Sequence, residues 1–207
     1  MKARDIIIAS AVMTGVFLFI RKTQEPGEKA VLPEIVLPSE IPLSNPVQAN
    51  VMRWHKILWL NGQNFGVEPA VLAAIMHRES EGNQDAIRYE AKKKDYSYGL
   101  MQVLSATARW LGFNADNDLL LEPEINIYYG AKYLKNRLNL YGNMIDAISA
   151  YNCGTVDKKS GNYSNQGYVY AVVANVSVYR EHFRIFYPDY NREVVMAKDI
   201  FDPSYFW

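Results

Sequence analysis

The stretch PAVLAAIMHRES, residues 69–80, decides how the rest of the chain is read. Pro69 suits the first turn of a helix, where its missing N–H leaves no partner unsatisfied, and Gly82 just beyond suits the exit. Between them Leu72, Ile75, Met76 and Glu79 follow the spacing i, i+3, i+4, i+7, so they share one helix face. The spacing predicts a helix whose apolar stripe ends on a carboxylate in the last turn. A carboxyl group drawn out of water holds its proton more tightly, and a glutamate so placed can stay an acid near neutral pH. Taken alone, the commoner reading of Glu79 is an ion pair with Arg78, Arg88 or a lysine at the core's edge.

The downstream stretches repeat the pattern. PEINIYYGAKYLKNRLNLYG, residues 123–142, again opens on proline and closes on glycine, with Ile127, Ala131, Leu134 and Leu138 as its stripe. After a short Gly-Asn turn, MIDAISAYNCG, residues 144–154, puts Met144, Ala147, Ile148 and Tyr151 on one face. Tyr151 and Asn152 therefore end a second buried helix. Polar groups at the ends of apolar stripes are what a cleft built from helix ends requires. YVYAVVANVSVYR, residues 168–180, fits a helix through Val172, Val176 and Tyr179 and also a strand through Val172, Ala174, Val176 and Val178. Periodicity leaves both open.

Composition bounds the function. A chain of 207 residues, 49% of them hydrophobic, holds one domain with a sizeable core and some appendages. Its 22 basic and 22 acidic residues cancel, so no net field favours nucleic acid, and none is expected as a partner. Cys153 is the single cysteine, which excludes an internal disulfide framework and a cysteine-based zinc site. His55, His77 and His182 lack metal-ligand spacing, and no metal or cofactor is expected.

Residues 6–20, IIIASAVMTGVFLFI, are uncharged and nearly all apolar, with Lys2, Arg4 and Asp5 before them and Arg21 and Lys22 after. As a helix they cover roughly 22 Å, short of a hydrocarbon core of roughly 30 Å, so the flanking basic side chains must snorkel or the bilayer must thin. No small-x-small cleavage pattern follows, which favours an uncleaved anchor over a removed signal. Five of the nine prolines, at 26, 33, 38, 42 and 46, fall in the next stretch, which reads as a semi-rigid spacer. The expected order is an N-terminal transmembrane anchor over 1–22, a proline-rich linker over 23–48, a helical domain over 49–187 and an aromatic tail over 188–207 ending in Tyr205, Phe206 and Trp207.

Several of these stretches, taken together and in order, match a known pattern. Glu79-Ser80, GLMQV at 99–103, NIYYGAKYL at 126–134 and AYNCG at 150–154 resemble the signature of the soluble lytic transglycosylase family, and SATARWLG at 105–112 resembles the short helix after its Gly-Leu-Met-Gln motif. The resemblance covers roughly residues 50–185. It implies a mainly α, lysozyme-like (goose-type) helical domain with a cleft, here preceded by a single N-terminal membrane helix. It also implies cleavage of peptidoglycan glycan strands between N-acetylmuramic acid and N-acetylglucosamine. Glu79 carries over as the catalytic acid. Ser80 orients it or touches substrate, Gly99 permits close backbone approach, Met101 lines the cleft, Gln102 bonds a sugar, and Tyr151, Asn152 and Tyr168 hold the substrate nearby. The membrane would be engaged through residues 6–20, with the catalytic domain facing the wall from a bacterial inner membrane or a phage virion membrane, among envelope-complex or virion proteins.

Hydrolysing glycosidases usually need two carboxyl groups across the scissile bond. Lytic transglycosylases as a family need one, because the substrate's own 6-hydroxyl closes a 1,6-anhydro ring. The segment between Glu79 and Gly99 is longer than is common in the family and offers Asp85, Glu90 and Asp95. A muramidase using Asp85 or Asp95 as second carboxylate is the alternative within enzymes; a non-catalytic peptidoglycan-binding membrane protein is the alternative outside them. Glu81 stands where glycine is common in the family, and Cys153 where alanine is usual. Both bear on the shape of the cleft.

Overall fold

The computed structural model describes residues 45–188 and Tyr190. The apolar segment 6–20, most of the expected linker and the aromatic chain end lie outside the described residues. Among the described residues no helix is long and apolar enough to cross a membrane.

The elements run α1 (Pro46–Met52), α2 (His55–Phe65), α3 (Pro69–Ser80), β1 (Ile87–Glu90), β2 (Asp95–Tyr98), β3 (Val103–Leu104) and α4 (Ser105–Trp110). A 3-10 turn at Asn117–Leu121 leads to α5 (Pro123–Tyr141), α6 (Met144–Cys153), the short hairpin β4 (Lys158–Lys159) and β5 (Asn162–Tyr163), and α7 (Gln166–Phe186). α1 opens inside the stretch expected as linker. Pro46 is at home in a first turn, and the Asn45 side chain accepts from the Val47 N–H at 2.9 Å, satisfying a donor the helix leaves free.

α3 is more deeply buried than a one-sided stripe implies. Every residue from Pro69 to Met76 is buried. Ala70, Ala73 and Ala74 occupy the positions off the stripe, so neighbouring elements approach closely there. α7 packs along α3, with α1 and α2 covering it as well. The two readings of residues 168–180 are thereby resolved: they are helical, because Tyr168, Val172, Val176, Tyr179 and Phe183 form a buried row at helical spacing. At its far end α7 is locked to the start of α3 by a buried charge. The Arg180 guanidinium donates to both oxygens of Glu68, at 2.5 and 2.7 Å, and the Tyr190 hydroxyl donates to Glu68 Oε1 at 2.7 Å. Tyr190 lies beyond the expected domain end at 187 yet is buried, its ring against Trp59 and Phe183.

Residues 87–104, expected as loop with a short half-buried piece, form a three-stranded antiparallel sheet ordered β1-β2-β3. Tyr89 pairs with Tyr96 and Ile87 with Tyr98, whereas Arg88 pairs with Ser97 and Glu90 with Asp95. Directly paired residues point to the same side. One side is thus aromatic and largely exposed, while the other carries the polar groups toward the end of α3. Lys92, Lys93 and Lys94 occupy the tip.

The turn between β2 and β3 depends on one buried amide. Asn126, in the first turns of α5, is completely buried. Its Nδ2 donates to Tyr98 O at 2.7 Å and Leu120 O at 2.6 Å, and its Oδ1 accepts from Met101 N at 2.7 Å. Gly99 sits beside it with φ +69°, and a Cβ there would lie 2.5 Å from Asn126 Nδ2. On the same helix, a Cβ at Gly130 would lie 2.5 Å from Met101 Sδ. The close approach expected of Gly99 is therefore to α5, and Met101 is a core residue packed on Gly130.

Two stability predictions follow from these contacts. Asn126→Ala removes the side-chain partner of three backbone groups, and a buried group so left unsatisfied costs about 1–3 kcal/mol, so the urea midpoint should correspond to a loss of roughly 3 kcal/mol. Glu81 closes α3 in the left-handed region at φ 55°, a conformation that disfavours a Cβ. Glu81→Gly should raise stability by roughly 0.5–1 kcal/mol in the same titration.

Candidate active site

Glu79 occupies the last turn of α3 because it continues the Leu72, Ile75, Met76 stripe to the point where the helix leaves the core. The residue keeps part of its surface open, but protein atoms surround its carboxyl group. Loss of water pushes its pKa up to about 7. A hydrogen bond from Tyr168 and the charges of Arg88 and Arg78 pull the other way, and the Glu90 charge adds to the rise. Desolvation wins, so near neutrality a large fraction of Glu79 carries its proton.

Tyr168, in the first turn of α7, donates its hydroxyl to Glu79 Oε1 at 2.7 Å. Tyr151, at the end of α6, donates to Met101 O at 2.8 Å and feels the Glu79 charge. Burial, with the neighbouring carboxylate, holds both phenols well above the usual tyrosine value. They act as neutral donors at any ordinary pH. Ser80 Oγ donates to Leu100 O at 2.7 Å, tying the end of α3 to the turn after β2. Arg88 Nη2 donates to the Glu79 carbonyl at 3.0 Å, meeting one of the free acceptors of the helix end.

Gln102, at φ 46°, is held by the protein on every side. Its Nε2 donates to Ala86 O at 3.0 Å and Gly99 O at 2.9 Å, and Ser97 Oγ lies 3.0 Å from its Oε1. Its amide braces the turn, with both N–H groups engaged. Met101 has no exposed surface, so it supports the cleft from beneath instead of lining it. Asn152 is exposed, with its Oδ1 accepting from Asn165 Nδ2 at 3.1 Å. The structure thus gathers Glu79, Ser80, Tyr151 and Tyr168 around one point, and gives Gly99, Met101 and Gln102 the work of shaping it.

The extra carboxylates do not behave alike. Asp95 accepts from Ser105 Oγ at 2.5 Å and Tyr96 N at 2.7 Å through Oδ1, and from Ala106 N at 2.9 Å through Oδ2. Burial opposes its ionisation, yet these bonds hold it below the usual carboxylate range. It anchors α4 to β2. Asp85 is exposed. Glu90, 3.3 Å from Ser97 Oγ and 3.9 Å from Arg88, is the acid of the three whose charge reaches Glu79.

Two adjoining cavities share Lys93, Leu104, Thr107 and Tyr133 in their walls. The smaller, of about 70 Å³, reaches Gln102, Tyr151 and Asn152; the larger, of about 380 Å³, runs out to Trp110 and Arg137. Glu79 lines neither, and Tyr151 connects it to the first. Sequence reasoning missed Asn126, Gly130 and Ser97; it offered Arg88 as an ion-pair partner of Glu79, and the structure has its guanidinium donating to the Glu79 carbonyl. The first two lay in NIYYGAKYL, where a polar residue and a glycine on a buried face were the available signal. Among the described residues no group of His, Cys, Asp and Glu is arranged to hold a metal.

Removal of the Tyr168 hydroxyl takes away a bond that favours the ionised carboxylate. Tyr168→Phe should therefore raise the Glu79 pKa further, read as an upward shift in the carbon-13 titration of its carboxyl group.

A transglycosylase SLT domain model matches residues 59–171, more than half of the chain. Protein IpgF of Shigella flexneri is 32% identical over 102 residues, which is 47% of this chain and 65% of that one. Invasion protein IagB of Salmonella typhimurium is 33% identical over 106 residues, 49% and 65% of the two chains. The transglycosylase of Enterobacteria phage PRD1 is 30% identical over 107 residues, 52% and 37%. The chain spans less than two thirds of the length of these relatives. Among solved structures, the lytic transglycosylase Slt of Pseudomonas aeruginosa, in an inactive mutant form, superposes with a TM-score of 0.55 at 24% identity, over 65% of this chain and 25% of that one. The 70-kDa soluble lytic transglycosylase in complex with bulgecin A does so with 0.53 at 22% identity, over 64% and 25%. With its mainly helical, lysozyme-like fold and its match across residues 59–171, this chain belongs to the SLT transglycosylase family.

Proposed function

We propose that the domain is a peptidoglycan lytic transglycosylase that cleaves the β-1,4 bond between N-acetylmuramic acid and N-acetylglucosamine with Glu79 as its single catalytic carboxyl group. The observation that carries this reading is a carboxyl group kept protonated near pH 7 by burial and reached by the Tyr168 hydroxyl. Glu79 gives its proton to the glycosidic oxygen, and that bond breaks toward the leaving sugar. The substrate's acetamido group steadies the cationic centre left behind. The Glu79 carboxylate then takes the proton of the muramoyl 6-hydroxyl as its oxygen bonds to the anomeric carbon, which regenerates the acid. A tethered hydroxyl acts at high effective concentration, so no second carboxylate is needed to activate water. Asp95, with its oxygens engaged by Ser105, Tyr96 and Ala106, and Asp85, exposed to solvent, give the hydrolytic alternative little support. The neutral Tyr151 and Tyr168 hydroxyls, with Ser80 fixing the helix end, hold the site without adding charge.

The likeness to a phage transglycosylase and to an invasion protein supports local opening of the wall by a virion or an envelope machine. Residues 6–20 would anchor the domain in the adjoining membrane.

Digests of purified glycan should contain ends lighter by one water; reducing ends in their place would mean a hydrolase. Glu79→Gln should abolish cleavage and keep the fold. It should also change the pH dependence of stability in a defined direction. The folded-state pKa of about 7 lies above the unfolded value of 4.5, so stability falls as pH rises between those values and the cost persists above them. The variant should match the parent near pH 4 and exceed it by about 3 kcal/mol at pH 8, and parental kcat/KM should decline above pH 7 as the acid is lost.

A further inference from the structure

The larger cavity has a chemistry that cleavage at Glu79 does not use. Its walls carry two cations, Lys93 from the hairpin tip and Arg137 from α5. Neither forms an ion pair among the described residues, although the whole chain is electrically balanced. The two converge on the end of α6. Arg137 Nη1 donates to Gly154 O at 2.9 Å, and Lys93 Nζ lies 3.5 Å from the point a Gly154 side chain would occupy. Arg137 is held between two rings, its guanidinium 5.1 Å from the centre of Tyr133 and 5.6 Å from that of Trp110, with Nε and Nη2 donating to Asn136 Oδ1. These contacts use three of its five N–H groups. Trp110 is 60% exposed, a large apolar ring left open beside the two cations. The carboxylate in the same wall, Asp95, is already engaged by Ser105, Ala106 and Tyr96. A purely structural role at the α6 terminus accounts for the Gly154 bond. It does not account for an exposed indole stacked against a guanidinium with free donors, in a cavity large enough for a small ligand.

We infer that this groove is a subsite for a carboxylate-bearing peptide: it takes a free carboxylate of the peptide attached to a muramoyl unit, on Lys93 and Arg137, with Trp110 as the platform for the adjoining chain. The inference rests on the peptidoglycan reading of the site, and it names which substrates that site prefers. A planar guanidinium pre-set between rings loses little freedom on forming paired bonds to a carboxylate, and Lys93 adds a point charge from the facing wall.

Calorimetry on the full-length Glu79→Gln protein tests it without turnover. The probes are a disaccharide-peptide from peptidoglycan with free carboxylates and the same compound with its carboxylates amidated. The free acid should bind about tenfold tighter, as a charge-assisted contact to a carboxylate warrants. Lys93→Gln and Arg137→Gln, each added to that protein, should bring the ratio toward one, and Lys93→Arg should keep it. Lys93 makes no side-chain hydrogen bond among the described residues, so its variant separates the subsite from any folding role of Arg137. Equal affinity for the two probes, a ratio unmoved by Lys93→Gln, or equally tight binding of a glycerol phosphate polymer would overturn the subsite. Failure of the peptidoglycan reading has a different signature: the parent protein would release no anhydro ends from either peptide-bearing or peptide-free strands, whatever the binding ratio.

Discussion

Eight consecutive residues of α3, Pro69 to Met76, have no face left for water, and the other elements are arranged around that rod. Burying Val71, Leu72, Ile75 and Met76 contributes about 1.5–3 kcal/mol each, which makes the helix the best-anchored part of the domain. A helix so completely enclosed has to emerge somewhere. It emerges at His77, and the turn that follows carries the one glutamate on the buried stripe. A raised pKa is therefore a consequence of where the core ends.

A protonated carboxyl group is useful only if its neighbours stay fixed, and here backbone does most of the fixing. Ser80 holds Leu100, Tyr151 holds Met101, Gln102 holds Ala86 and Gly99, and Asn126 holds Tyr98, Leu120 and Met101. All but those to Ala86 and Leu120 end on the turn between β2 and β3 or on its flanks. Side chains that a motif assigns to substrate thus have a prior task, which is to set the shape that substrate meets. The strain at Gln102, a non-glycine residue at φ 46°, is confined to this turn, where the bonds around it over-determine the backbone.

The hairpin of β1 and β2 reaches both the end of α3 and the larger cavity. Its polar side delivers Arg88 to the α3 terminus and Glu90 to the field felt by Glu79, and its tip brings Lys93 to the wall of the groove. Asp95, which as sequence was a candidate second carboxylate, instead joins β2 to α4. A carboxylate that accepts three hydrogen bonds is stabilised as an anion and is poorly suited to act as a base near neutral pH.

Helix existence was legible in the chain itself. Proline at the start of α3 and α5, a Gly-Asn turn before α6, glycine at or just past each end and apolar residues at helical spacing marked the three helices, and the stripe in α3 already pointed at Glu79. Residues 168–180 were not legible, because alternation and helical spacing coexist in YVYAVVANVSVYR and only the packing of α7 against α3 selects one. The hairpin was not legible either, since four-residue strands with exposed tyrosines carry no burial pattern. What the sequence by itself determined was local: which segments can be helical, which face of each is apolar, and that a carboxylate ends one such face. Only the tertiary structure decided which of several acids is desolvated, which tyrosine hydroxyl meets it and where Lys93 and Arg137 converge, because desolvation and hydrogen bonding depend on neighbours as far away in the chain as Glu79 and Tyr168.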